Sequence, residues 1–209
     1  MQKLAITGAK GTIGTILCEG LTNVEIIPTD LPETDVLDYE SLLSLVSVCD
    51  TVVHLAWDNS GSEELLQRSE QMFENVLRAC VEAKVGRVIL ASSIHAQNFY
   101  VWSGDRGLRV EDELPPSSTY GEMKLKMEAR GKWYAENYPI EVIAIRFGGV
   151  TLDDRILDEK YYEKIQLRRN DAASLVQKCI DADISPGNHI VLYGISENED
   201  MIHDVSNGL

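Results

Sequence analysis

Cysteine is scarce, and no two cysteines stand close in the sequence. Cys18, Cys49, Cys80 and Cys179 are widely spaced with no C-x-x-C, a pattern that suggests neither a disulfide framework nor a zinc site. His54, His95, His189 and His203 are equally dispersed, so a metal-independent chemistry is expected. Long apolar runs are missing too. No stretch is apolar for the ~18 residues that a membrane span needs, and the opening MQKLAITGAKGTIG lacks the apolar core and cleavage pattern of a signal peptide. Basic residues are outnumbered, 19 Lys and Arg against 34 Asp and Glu, for a formal charge of −15. Nucleic acid and anionic membranes both require a basic surface, so neither is an expected partner. A cytoplasmic protein is expected.

The remaining composition is ordinary for a globular chain. With 209 residues, 44% hydrophobic and 25% charged, it can bury a substantial core as a single domain spanning 1–209. Short β-branched and apolar runs at 3–7, 24–29, 51–56, 87–92, 140–146 and 189–194 read as strands. Between them lie helical patterns. Leu65, Leu66, Met72, Phe73, Val76, Leu77, Cys80 and Val81 repeat close to every 3.6 residues, which predicts a helix over 62–84 with Gly86 as its stop. A second helix is expected over 118–137, ended by Pro139. The alternation requires crossovers between parallel strands, and so an α/β, Rossmann-type doubly wound parallel sheet with helices on both faces. Ligands bind beyond the carboxyl ends of such strands. The segments 98–118 and 151–169 carry no periodicity and are the candidate site-forming excursions.

After the first strand comes T-G-A-K-G-T-I-G, with Gly8, Gly11 and Gly14 three residues apart and Thr12 and Ile13 between the last two. Such a turn lets backbone approach a pyrophosphate, and the helix that follows offers free N–H groups to it, although the spacing departs from G-x-G-x-x-G. The second strand ends at Asp30, 22 positions beyond Gly8, near the separation at which a carboxylate meets the adenosine ribose. Its charge repels a 2′-phosphate and no Arg or Lys follows it closely, so NAD is favoured over NADP. Tyr120 and Lys124 stand at i and i+4 and share one helix face.

These features, with the Asp35-Val36 pair, the His54-Leu55-Ala56 run, Asn75 and the Ala91-Ser92-Ser93 run, resemble the extended short-chain dehydrogenase/reductases, the NAD-dependent epimerase/dehydratase family, over residues 3 to about 195. The resemblance implies that Gly8, Gly11, Thr12, Ile13, Gly14 and Asp30 hold NAD, that Asp35 and Val36 border its adenine, that Leu55 and Ala56 line the cleft, and that Asn75 contacts the cofactor and helps organise the central helix. It implies a catalytic Ser93, Tyr120 and Lys124, the last two also touching the cofactor. A tyrosine base acting near neutral pH must shed roughly three pKa units from its ordinary 10. An ammonium about 5 Å away at an effective dielectric near 20 supplies about 3 kcal/mol, a little over two units, and the nicotinamide cation supplies the rest. Ser93 would hydrogen-bond the reacting oxygen.

Within the family, the A-S-S-I-H segment, the loop after Arg146-Phe147-Gly148-Gly149 and the helix start near Asn170 most resemble uronate dehydrogenases and aldose-oxidising relatives, which act on a small sugar or sugar acid. Residues 151–209 would then form a reduced substrate-binding portion, and the chain stops without the family's usual further segment. His95 would face sugar hydroxyls or pack behind the loop. Arg155 is the nearest candidate for a carboxylate-binding arginine, with Lys160 and Arg168 as rivals. Ile94 stands where those enzymes carry asparagine. The resemblance also implies a homodimer built on the helix over 65–81 and the Tyr120 helix. Other readings are a nucleotide-sugar epimerase or dehydratase and a non-catalytic NAD-binding sensor.

Overall fold

Six parallel strands form one sheet in the order β2-β1-β3-β4-β5-β6 in the computed structural model, which describes residues 1–58, 62–185 and 187–206. The strands are β1 (Gln2–Thr7), β2 (Val24–Thr29), β3 (Thr51–His54), β4 (Arg87–Ser93), β5 (Glu141–Phe147) and β6 (His189–Gly194). Between them run α1 (Thr12–Gly20), α2 (Tyr39–Val46), α3 (Glu63–Ala83), α4 (Thr119–Asn137), the single turn α5 (Tyr162–Ile165) and α6 (Arg169–Asp181). This is the expected doubly wound α/β architecture.

Alternate residues of each central strand enter two separate cores. On one face Ala5, Val52, Val88, Val142 and Ala144 pack under α2, α3 and α4 through Leu42, Phe73, Val76, Leu77 and Met127. On the other, Leu4, Ile6, Val53, Ile89, Ile143 and Ile145 meet Ile16 and Leu17 of α1 and Val176 of α6. Burial on both faces is why the strands read as unbroken apolar runs. A smaller third cluster around Phe99, Leu108, Tyr193 and Ile195 sits under the segment that follows β4.

Caps fix the two long helices. The Ser62 hydroxyl accepts from Leu65 N, and that of Ser118 from Gly121 N, each satisfying an otherwise free first-turn donor. The end of α3 differs from expectation. Lys84, at φ 60°, takes the left-handed position and returns its N–H to Cys80 and Val81, while Gly86 N reaches across to Asp50 O. β3 also stops two residues early, because Leu55 and Ala56 leave the strand at the mouth of the cleft. Chain order reverses about β1, whose neighbours are β2 and β3, and the crevice beyond their carboxyl ends is where a ligand is expected. Among the described residues no helix is long and apolar enough to cross a membrane.

Candidate active site

The glycine turn is shaped by close approach rather than by flexibility. Gly8 has φ +72°, and a Cβ there would lie 2.7 Å from Ala56 N; one on Gly14 would lie 2.4 Å from Gly8 O. Only glycine lets the β1 end pass over the β3 end while α1 packs back on the turn. The cap of α1 is Gly11, which has no side chain to bond the first-turn N–H groups, so these are available to an anion. At the end of β2 the Asp30 carboxylate accepts from Lys10 N and Leu31 N, both at 2.8 Å. A cradle that a methyl group would fill, free helix amides and a fixed carboxylate together suit the pyrophosphate and ribose of a dinucleotide.

Asp30 is not far from a lysine after all. Lys10, arriving from the glycine turn, directs its Nζ to Leu31 O and Glu33 Oε2, each at 2.7 Å. The cation comes from upstream of Asp30 in the sequence, not from the residues that follow it.

At the other end of the cleft, α4 brings Tyr120 and Lys124 to the end of β4. Gly121 makes this possible, because a Cβ there would fall 2.1 Å from His95 O. Ser93 is buried, its Oγ accepts from His95 N at 3.2 Å, and its hydroxyl is close enough to the Tyr120 phenol to favour the phenolate. Lys124 Nζ donates to Ala91 O at 2.8 Å and lies 3.7 Å from the ring centroid of Trp57. Thr7 Oγ1 and His54 Nδ1 join β1 to β3 beneath them at 2.7 Å.

Burial sets the electrostatics here. Desolvation of its hydroxyl end in the cleft pushes the Tyr120 phenol above its ordinary value although the residue as a whole is 36% exposed, with Ser93 pulling the other way, whereas the sequence predicts a lowered phenol. Burial pulls the Lys124 ammonium down to about 7, opposed by Glu128 one turn on. His54 is held neutral, its pKa down to about 3, by burial and then by the Lys124 charge. Glu128 itself is tied to Arg146 through two bonds of 2.9 and 2.8 Å and accepts from Ser92 Oγ.

One cleft of about 870 Å³ joins the two ends, lined by the glycine turn with Thr12 and Ile13, by Asp30, Asp35, Val36, Leu55 and Ala56, and by Ser93, His95, Tyr120 and Lys124. Two expected contacts lie outside it. Asn75 is buried behind Val36, donating to Val36 O at 3.0 Å and accepting from Gln71, so it braces a cleft residue. Arg155 is exposed and turned to Asp153 at 3.8 Å, and neither Lys160 nor Arg168 lines the cleft. Trp57, Arg68, Glu159 and Tyr162 do line it, although sequence reasoning missed them. Trp57 directly follows the His54-Leu55-Ala56 run and was open to inference from it. Glu159 gave no signal.

The sequence model of the NAD dependent epimerase/dehydratase family matches residues 4–152. L-arabinose 1-dehydrogenase (NAD(P)(+)) of Haloferax volcanii is 26% identical, over 96% of this chain and 90% of the relative. Uronate dehydrogenase of Pseudomonas putida is 27% identical, over 97% and 80%. Among solved structures, uronate dehydrogenase from Agrobacterium tumefaciens superimposes with a TM-score of 0.81 at 21% identity, covering 99% of this chain and 81% of that one, and a mutant of it complexed with NAD gives 0.80. The chain belongs to the NAD-dependent epimerase/dehydratase family.

Proposed function

We propose that the chain is an NAD-dependent oxidoreductase acting on a CH–OH group of a small sugar or sugar acid. The observation that carries this reading is that Ser93, Tyr120 and Lys124 open onto the same cleft as the glycine turn and Asp30. The first-turn amides of α1 would hold the pyrophosphate and Asp30 the adenosine ribose, with Asp35 and Val36 beside the adenine. NAD, when bound, supplies the hydride acceptor. The Tyr120 phenol, as phenolate, takes the proton of the substrate hydroxyl, and Ser93 donates a hydrogen bond to the same oxygen. Lys124, with its ammonium 5.6 Å from the Tyr120 ring centroid, is placed to favour the phenolate. Burial works against both charges, so the pair depends on each other and on cations brought by the ligand.

Residues after β5 supply Glu159, Tyr162 and Ile165 to the cleft wall, which supports a substrate-binding role for that segment. We also infer a homodimer through α3 and α4, supported by the exposed Leu125 and Trp133 of α4 and Tyr138 at its C-cap, and a cytoplasmic location, supported by four free cysteines. Light scattering that finds only monomer would remove the dimer. For the activity itself, NADH absorbance is followed with NAD and a panel of aldoses, uronates and simple alcohols. Tyr120→Phe is expected to lower kcat by at least ~100-fold with NAD affinity kept, and turnover surviving that substitution would refute the assigned base.

A further inference from the structure

The substrate end of the cleft has an unbalanced charge. Glu159 lines it together with Ser93, His95, Tyr120 and Tyr162, and its carboxylate is near enough to act on the His95 ring. Burial lowers the pKa of that ring against the pull of Glu159, which disfavours its cationic form. Among the described residues, the cations lining the cleft are three, and each is committed. Lys10 pairs with Glu33 at 2.7 Å, Arg68 with Asp58 at 3.6 Å, and Lys124 serves Ala91 O and the Trp57 ring. None of the basic residues after β5 lines the cleft: Arg155 is turned to Asp153, Arg168 to Asp171, Arg169 to Glu19 at 2.7 Å, Lys160 lies over the Tyr161 ring, and Lys164 stands on α5 outside the lining.

A carboxylate or phosphate on the substrate would therefore meet a like charge, and no protein cation that lines the cleft is without a partner to offset it. Hydroxyl groups suit the same wall, because a carboxylate accepts hydrogen bonds from neighbouring hydroxyls and gives none. The geometry points to an uncharged sugar, an aldose and not a uronate or a sugar phosphate, as the substrate, with Glu159 as the residue that accepts its hydroxyls and rejects anions. This rests on the dehydrogenase reading above.

The test compares kcat/KM for L-arabinose, D-galactose, D-glucuronate, D-galacturonate and glucose 6-phosphate with NAD at low salt, beside calorimetric titration of the same sugars into Tyr120→Phe saturated with NAD. The neutral aldoses are expected to exceed the anions by at least tenfold in both measurements. Adding salt should narrow the gap, since a repulsion at an exposed carboxylate is screened. Glu159→Gln should raise uronate use several-fold while weakening the aldoses. A uronate or phosphate preferred by the wild type, or a preference that Glu159→Gln and salt both leave unchanged, overturns the assignment while leaving the dehydrogenase intact. Failure of every sugar to bind or react, with NAD still bound, removes the dehydrogenase reading and this inference together.

Discussion

Lys124 presents its ammonium to the face of Trp57, 3.7 Å from the ring centroid, and the same indole meets the Tyr120 ring edge-on at 5.7 Å. The indole thus touches both members of the proposed acid–base pair from within the cleft. A desolvated contact between cation and ring contributes about 2 kcal/mol, enough to offset part of the burial cost of the ammonium.

A ligand that fills the cleft must change the surroundings of that indole. Of the three tryptophans, Trp102 and Trp133 do not line the cleft and Trp57 does. Titration with NAD should alter tryptophan emission in the wild type, and the change should vanish in Trp57→Phe with Trp102 and Trp133 still present. An undiminished response in that variant would place NAD away from Trp57.

Burial of Lys124 links stability to pH with a definite sign. Its folded pKa is drawn down to about 7, below the ordinary value near 10.4 of an unfolded lysine. Between those values the unfolded chain binds the extra proton, so this group's contribution raises stability with pH across that window, and its full penalty applies below about 7. Lys124→Met removes the penalty but leaves Ala91 O without its donor, a cost that does not vary with pH. The Tm of the variant minus that of the wild type should therefore be most favourable near pH 6 and fall steadily toward pH 10. A difference that is flat with pH would mean that Lys124 is not desolvated as described.

The ion pair of Glu128 and Arg146 is almost wholly shielded, with side chains 6% and 5% exposed. Arg146 also donates to Val110 O at 3.2 Å, so the pair ties α4 and β5 to the segment after β4. Glu128→Ala leaves a buried guanidinium without its counter-charge, which costs about 3–5 kcal/mol. For a chain of this size that is a fall in Tm of roughly 10 °C, read by scanning calorimetry. A fall below about 2 °C would show that water or another carboxylate replaces the lost partner.

Periodicity and the strand-end motifs carried the sheet and the glycine turn, because short runs such as V-I-L-A from Val88 to Ala91, bounded by Gly86 and Ser92-Ser93, suit a strand buried on both faces. What escaped was set by contacts between distant residues in aperiodic segments. Glu159 reaches the site from the segment after β5, and Trp57 meets Lys124 from the loop that follows β3. Lys10 reaches Asp30 from 20 residues upstream. The phenol shows the limit most clearly. Spacing on a helix places Tyr120 near Lys124, but the burial that pushes its pKa up is a property of the packed fold, and no pair spacing encodes it.

Gly121 separates the effects of local propensity and packing. Alanine inside a helix is favoured over glycine by about 1 kcal/mol, so propensity alone predicts that Gly121→Ala stabilises α4. Packing predicts the reverse, since the added Cβ would sit 2.1 Å from His95 O and 3.0 Å from Pro116 Cβ, and overpacking of this kind costs about 1–3 kcal/mol. Relief requires the first turn of α4 to move off the end of β4, which parts the Tyr120 phenol from Ser93. A displacement near 1 Å at reacting groups lowers turnover about 100-fold. The glycine turn and Asp30 belong to β1 and β2 at the opposite end of the cleft, so NAD affinity by calorimetry should stay within about threefold. A variant with raised Tm and unchanged kcat would show that the contact between α4 and the His95 turn does not position the tyrosine.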